Sequence, residues 1–122
     1  MRRYLNQTET NTHLNLGKTI EVFLGRILDD KNIISYLGLT KENDKIKVER
    51  IDHYDEGSLD FIDLYAFSYV DPNMEFETNN FNNINETVEF IRTKFNITEV
   101  KFLNAGIIQD EYADLIKSEG RD

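Results

Sequence analysis

The amino-acid sequence predicts an α+β fold, an antiparallel meander of three to four strands packed with about three helices in the order α-β-β-β-(β)-α-β-α. Three observations carry the prediction. Between Ile33 and Val70, three runs rich in β-branched and aromatic residues follow one another across short polar connections, the spacing of antiparallel neighbours. On both sides of that block, apolar residues recur three and four positions apart, which is helical spacing. The chain has 122 residues and no cysteine, so it reads as one domain, residues 1–122, that buries its core without crosslinks.

In chain order, Arg2 to Thr12 is polar, and Thr8, Thr10, Asn11 and Thr12 can each cap a helix. Leu16, Ile20, Phe23, Leu24, Ile27 and Leu28 then form one stripe, which predicts a helix over His13 to Leu28. The alternation of Ile20, Val22 and Leu24 gives the competing reading, a strand over Thr19 to Leu24. Gly17 weakens the helix by about 1 kcal/mol relative to Ala. Asp29, Asp30, Lys31 and Asn32 break the pattern. Ile33 to Thr40 and Ile46 to Tyr54 read as strands joined by the hairpin-like run Lys41 to Lys45, with room for a bulge near Glu49 to Ile51.

Asp60 to Val70 is the densest apolar run. Phe61, Asp63, Tyr65, Phe67 and Tyr69 alternate with Ile62, Leu64, Ala66, Ser68 and Val70, so both faces are apolar and the run reads as a central strand covered on each side. Asp63 then needs a wet strand end, a partner or a raised pKa. Asp71, Pro72 and Asn73 close the run, and Met74 to Thr78 reads as a short edge strand. Asn83 with Glu86 three residues on resembles a capping box for a helix carrying Ile84, Val88, Phe90, Ile91 and Phe95, and Asn96 can end it. Val100 to Leu103 is strand-like, Asn104 to Gly106 is a break, and Ile107 to Lys117 is a closing helix before a fraying SEGRD tail.

The net charge of −9 and a pI near 4.7 disfavour nucleic acid and anionic membrane as partners and suit a basic protein surface, besides favouring solubility. There is no signal-peptide pattern and no apolar run of membrane-spanning length, so a cytoplasmic location is expected, and the Asn-x-Thr triplets at Asn6, Asn85 and Asn96 read as background. Lack of cysteine removes thiol nucleophiles and Cys-based metal sites. No glycine-rich phosphate loop and no Gly-x-Ser-x-Gly elbow occurs. Asp52, His53, Asp55, Glu56, Asp60 and Asp63 are the best acid–base or metal candidates, but their spacing is neither an EF-hand nor His-Glu-x-x-His, so no metal, cofactor or catalytic residue is assigned. His13 and His53 read as surface residues. Asn104, Gln109, Asp110, Glu111 and Tyr112 form a second polar cluster at a helix start, where Asp110 and Glu111 suit the helix dipole and the structural reading is preferred; the alternative is that Tyr112 lines a recognition surface.

Taken together, RRYLNQTETN, YDEGSLDFIDLYAFS and KFLNAGIIQDEYADLI resemble in their layout the small acidic bacterial immunity proteins that neutralise toxins of polymorphic and contact-dependent growth inhibition systems. The resemblance implies a non-enzymatic cytoplasmic inhibitor of one cognate toxin domain, often a nuclease with a basic face. Asp52, Asp55, Glu56 and Asp60 are then the candidate contacts and Tyr54 a candidate anchor, charge steering the encounter and the aromatic ring anchoring it. The alternatives are an adaptor or structural domain, and a metal-dependent enzyme using the Asp52 to Asp63 cluster.

Overall fold

A computed structural model describes residues 3–26, 32–71, 73 and 76–120. The chain runs α1 (Gln7–Asn15), β1 (Ile20–Gly25), β2 (Ile33–Glu42), β3 (Lys45–Tyr54), a 3-10 turn (Leu64–Ala66), β4 (Glu77–Phe81), α2 (Ile84–Phe95), β5 (Leu103–Asn104) and α3 (Ile108–Ser118). The fold is α+β, with one five-stranded antiparallel sheet in the order β4-β3-β2-β1-β5. The sheet is a middle layer. Its first face, with Ile20, Val22, Leu37, Leu39, Ile46 and Val48, packs under α1 and α2 through Leu14 and Ile91. Its second face, with Ile34 and Tyr36, packs under α3 and the 3-10 turn through Ile108, Tyr112, Ile116, Leu64 and Phe67.

The β2–β3 hairpin forms where the sequence reads one, paired without a slip from Ile33↔Tyr54 to Glu42↔Lys45, but its strands take in Lys41, Glu42 and Lys45, which the sequence assigns to the connection. No bulge falls at Glu49 to Ile51; the irregularity lies in β1, between Phe23 and Gly25. At the tip Asn43 and Asp44 both take positive φ (53° and 64°), the left-handed pair that matches the twist of a two-residue hairpin. α2 has the expected caps, Asn83 accepting from the Glu86 amide at 2.9 Å and Asn96 closing the helix at φ 53°. The capping box is incomplete there, because Glu86 returns to the Asn83 side chain rather than its backbone. The complete box is on α1, between Asn6 and Glu9.

Two elements differ in kind from the sequence reading, and a third in its bounds. The helix over His13 to Leu28 is instead a nine-residue helix ending at Asn15 and a strand from Ile20, so the alternation of Ile20, Val22 and Leu24 prevails; Ile27 and Leu28 lie outside the described residues. Gly17, at φ +81°, turns the chain between them, and the cap is Asn6, while Thr10 and Thr12 bond back to carbonyls within the helix. Asp60 to Val70 is not a central strand. β2 holds the central place, and within 60–70 only Leu64 and Phe67 are buried, three residues apart as a 3-10 turn spaces them. The edge strand begins at Glu77, later than the Met74 expected, and Met74 itself is outside the described residues.

Candidate functional site

The candidate contacts sit at and beyond the end of β3, where the chain leaves the sheet as segment 55–71 and lies across the second face. Backbone bonds lace the segment to its origin. Tyr54 N donates to Ser68 O (2.8 Å), Val70 N donates to Asp52 O (3.1 Å), and Asp55 N donates to Asn32 O (2.6 Å). β3 therefore has two neighbours along one edge, β4 beside 46–50 and the short stretch around Tyr69 beside His53.

The carboxylates that adjoin in sequence are separated in space and mostly occupied. Asp52 accepts from Ser35 Oγ (2.5 Å) and pairs with Arg50 at 3.3 Å. Asp55 has a side chain only 1% exposed, held by Arg26 Nη2 at 2.6 Å and by the Tyr112 hydroxyl. Glu56 is exposed but accepts from Ser68 N (2.6 Å) and Oγ (2.9 Å). Asp60 is exposed and its carboxylate has no partner among the described residues. Asp63 is also exposed, touched by Gln109 Nε2 at 3.4 Å, so its wet position answers the question its sequence context raises.

Arg50 also reaches Glu77 at 3.4 Å, and a groove of about 370 Å³ opens there between Asp52, Asp71, Glu77, Val70 and Phe76. His53 does not face this groove. Among the described residues no group of three His, Cys, Asp or Glu side chains stands close enough to hold a metal ion.

Apolar exposure is concentrated on the same segment and on the last residue of β3 before it. Of the six large hydrophobic side chains most open to solvent among the described residues, four are Tyr54 (43%), Leu59 (38%), Phe61 (43%) and Tyr65 (37%); the others are Tyr4 and Leu16. Phe61 packs edge-on against Phe67, which packs edge-on against Tyr112, so an exposed ring is backed by two buried ones. Gly57 lets the chain pass close to this stack, since a Cβ there would meet the Phe67 ring, the Phe61 carbonyl and the Tyr112 hydroxyl all closer than 3.0 Å. Tyr112 is thus a buried support, in line with the structural reading of its cluster and not with the alternative of a recognition surface.

A buried polar string under the segment escapes the sequence reading altogether. Glu21, only 4% exposed on β1, accepts from the Tyr65 hydroxyl (2.5 Å) and the Gly106 amide (3.3 Å). Burial pushes its carboxyl pKa up, and those two bonds oppose the rise. Burial likewise raises the phenols of Tyr36 and Tyr65. His53 is 0% exposed rather than on the surface, and burial lowers its pKa against the opposing pull of the Phe67 carbonyl. In sequence Glu21 looks like the polar member of an alternating strand; only the pairing of β1 with β2 and β5 shows it covered.

Comparison with protein-family models, curated proteins and solved structures finds no match. Function therefore has to be read from this segment's own chemistry. No helix among the described residues is long and apolar enough to cross a membrane.

Proposed function

We propose that this chain is a non-enzymatic protein-binding inhibitor of the immunity type, acting in the cytoplasm on the basic face of a cognate toxin domain and docking through residues 54–65. The observation that supports this reading is that Leu59, Phe61 and Tyr65 are exposed apolar side chains on one segment laced to the sheet, with Tyr54 exposed on the strand end that leads into it. Aromatic anchors on a pre-ordered backbone give affinity at low entropic cost. The net charge of −9 supplies long-range attraction for a cationic partner.

Within this reading the contact roles divide. Tyr54 and Phe61 serve as anchors, and Asp60 and Glu56 supply the charge at the rim. Asp55 holds the start of the segment through Arg26, whereas Asp52 is paired with Arg50 on its own strand.

The test is co-expression with a toxin encoded directly upstream, followed by purification of the pair. Rescue of growth with a copurifying complex is the expected result; continued killing with no complex ends the reading. In the complex, Phe61→Ala should weaken binding by about 2 kcal/mol, roughly thirtyfold in Kd. Asp60→Lys should slow association and flatten its salt dependence. Wild-type kinetics in both variants would move the interface elsewhere.

A further inference from the structure

Among the contacts that join segment 55–71 to the second face of the sheet, one runs through an imidazole that no contact role uses. His53 Nδ1 lies 3.0 Å from Phe67 O. A carbonyl only accepts, so Nδ1 carries the proton, and the bare Nε2 faces the Tyr36 hydroxyl at 3.3 Å as its acceptor. The ring is sandwiched, with Tyr36 at 5.5 Å on one side and Tyr69 at 4.5 Å on the other. We propose that His53 is a pH-sensitive latch: the segment lies on the sheet while the imidazole is neutral, and lifts off when the imidazole takes up a proton.

The groups around the ring leave a second proton without a counterion. From β2 the ring meets the Tyr36 hydroxyl, which feels the charge of Glu21, itself committed to Tyr65 and Gly106. From β3 Asp52 acts at longer range and is bonded to Ser35 and Arg50; from the segment, Glu56 does so and is bonded to Ser68. Phe67 supplies a carbonyl, and Tyr69 a ring face. An imidazolium here would sit at zero exposure with no carboxylate bonded to it.

Once the segment lifts, the ring reaches water and titrates at the ordinary imidazole value of 6.5. Proton uptake and release of the segment are therefore linked. Below that value the opening constant should rise about tenfold per pH unit until the docked form itself begins to protonate. The inference stands on these contacts alone and does not require the proposed toxin partner.

Amide hydrogen exchange on the intact chain between about pH 7.5 and 5.5 tests it, after correction for intrinsic rates. The Tyr54 and Val70 amides, which bond to Ser68 O and Asp52 O, report lift-off; amides at the centre of the β2–β3 pair report global unfolding. The expected result is that Tyr54 and Val70 open more readily than the centre and increasingly so with acid. In His53→Asn, whose amide can still donate to Phe67 O but does not titrate, that acid dependence should vanish. Identical opening constants at 54, 70 and the sheet centre would overturn the latch, as would an unchanged acid dependence in His53→Asn. Should that variant fail to fold, NMR titration of the wild-type imidazole decides. A midpoint below the ordinary value, with loss of Tyr54 and Val70 protection, supports the latch, and a midpoint at or above it refutes the latch.

Discussion

Replacing Asp55 with Asn separates a carboxylate that holds the fold from one that waits for a partner. Asp55 is almost fully enclosed, with the Arg26 guanidinium at 2.6 Å and the Tyr112 hydroxyl on its oxygens. Asn keeps one acceptor oxygen for the guanidinium, but the negative charge is lost, and with its amide turned to Tyr112 the hydroxyl must change from donor to acceptor. Breaking a buried pair by removing one partner costs about 3–5 kcal/mol. Arg26 is 16% exposed and keeps Glu119 at 2.6 Å, so the cost falls below that range, to about 2–3 kcal/mol. For a chain of this size that lowers Tm by roughly 8–12 °C. Urea unfolding followed by far-UV circular dichroism, together with a thermal melt, measures it. A loss under about 0.5 kcal/mol, the range of ordinary surface substitutions, would refute the assignment of Asp55 to the fold.

Three further outcomes are expected. Tyr65→Phe leaves buried Glu21 with only the Gly106 amide and should cost about 1–3 kcal/mol near pH 7. The Glu21 carboxyl is raised in the fold, so its contribution favours the folded state below its unfolded value of 4.5 and is lost as pH rises through the folded value. Losing the Tyr65 bond raises the folded value further, so the Tyr65→Phe penalty should shrink as pH falls toward that unfolded value; urea midpoints at several pH values check this, and a constant penalty contradicts it. Gly57→Ala forces a methyl into the Phe61, Phe67 and Tyr112 stack and should cost about 1–3 kcal/mol, read as a lower urea midpoint. Asp44→Gly relieves a left-handed residue at φ 64° in the hairpin tip and should add about 0.5–1 kcal/mol to unfolding free energy in the same assay.

The parts of the fold legible in sequence are those whose signals agree at every level. The β2–β3 hairpin has β-branched runs on both sides of an Asn-Asp tip, and α2 has an Asn at each end of a helical stripe. Where two periods coincide, the pattern alone decides wrongly. Ile20 and Leu24 satisfy both helical and strand spacing, and the deciding fact is tertiary, since Ile20 pairs with Leu39 and with Asn104. In 60–70 the alternation is chemical rather than structural, because Phe61 and Tyr65 remain partly open and the inward residues are Leu64 and Phe67. What each candidate contact touches was not legible in sequence. Asp52 and Asp55 look alike in sequence, yet Asp55 meets a cation 29 positions away, a pairing no local pattern carries. His53 and Glu21 were missed for a related reason, their burial coming from the segment and from Gly106, far along the chain.

The arrangement of the sheet also bears on how the molecule assembles itself. The β2–β3 pair closes through a two-residue tip, whereas β1 must find β5 across more than eighty residues, Ile20 beside Asn104. Short-range pairs form early because little chain entropy is lost in closing them. Nascent chains should therefore carry a formed hairpin long before its flanks are covered, and the rate of reaching the native state should be governed by the arrival of the Leu103 region at β1. Substitutions at Leu103 should then slow refolding in proportion to the stability they remove, while those at the hairpin tip, already formed before that step, should leave the unfolding rate nearly unchanged; variants at the outlying β4 should instead mainly hasten unfolding.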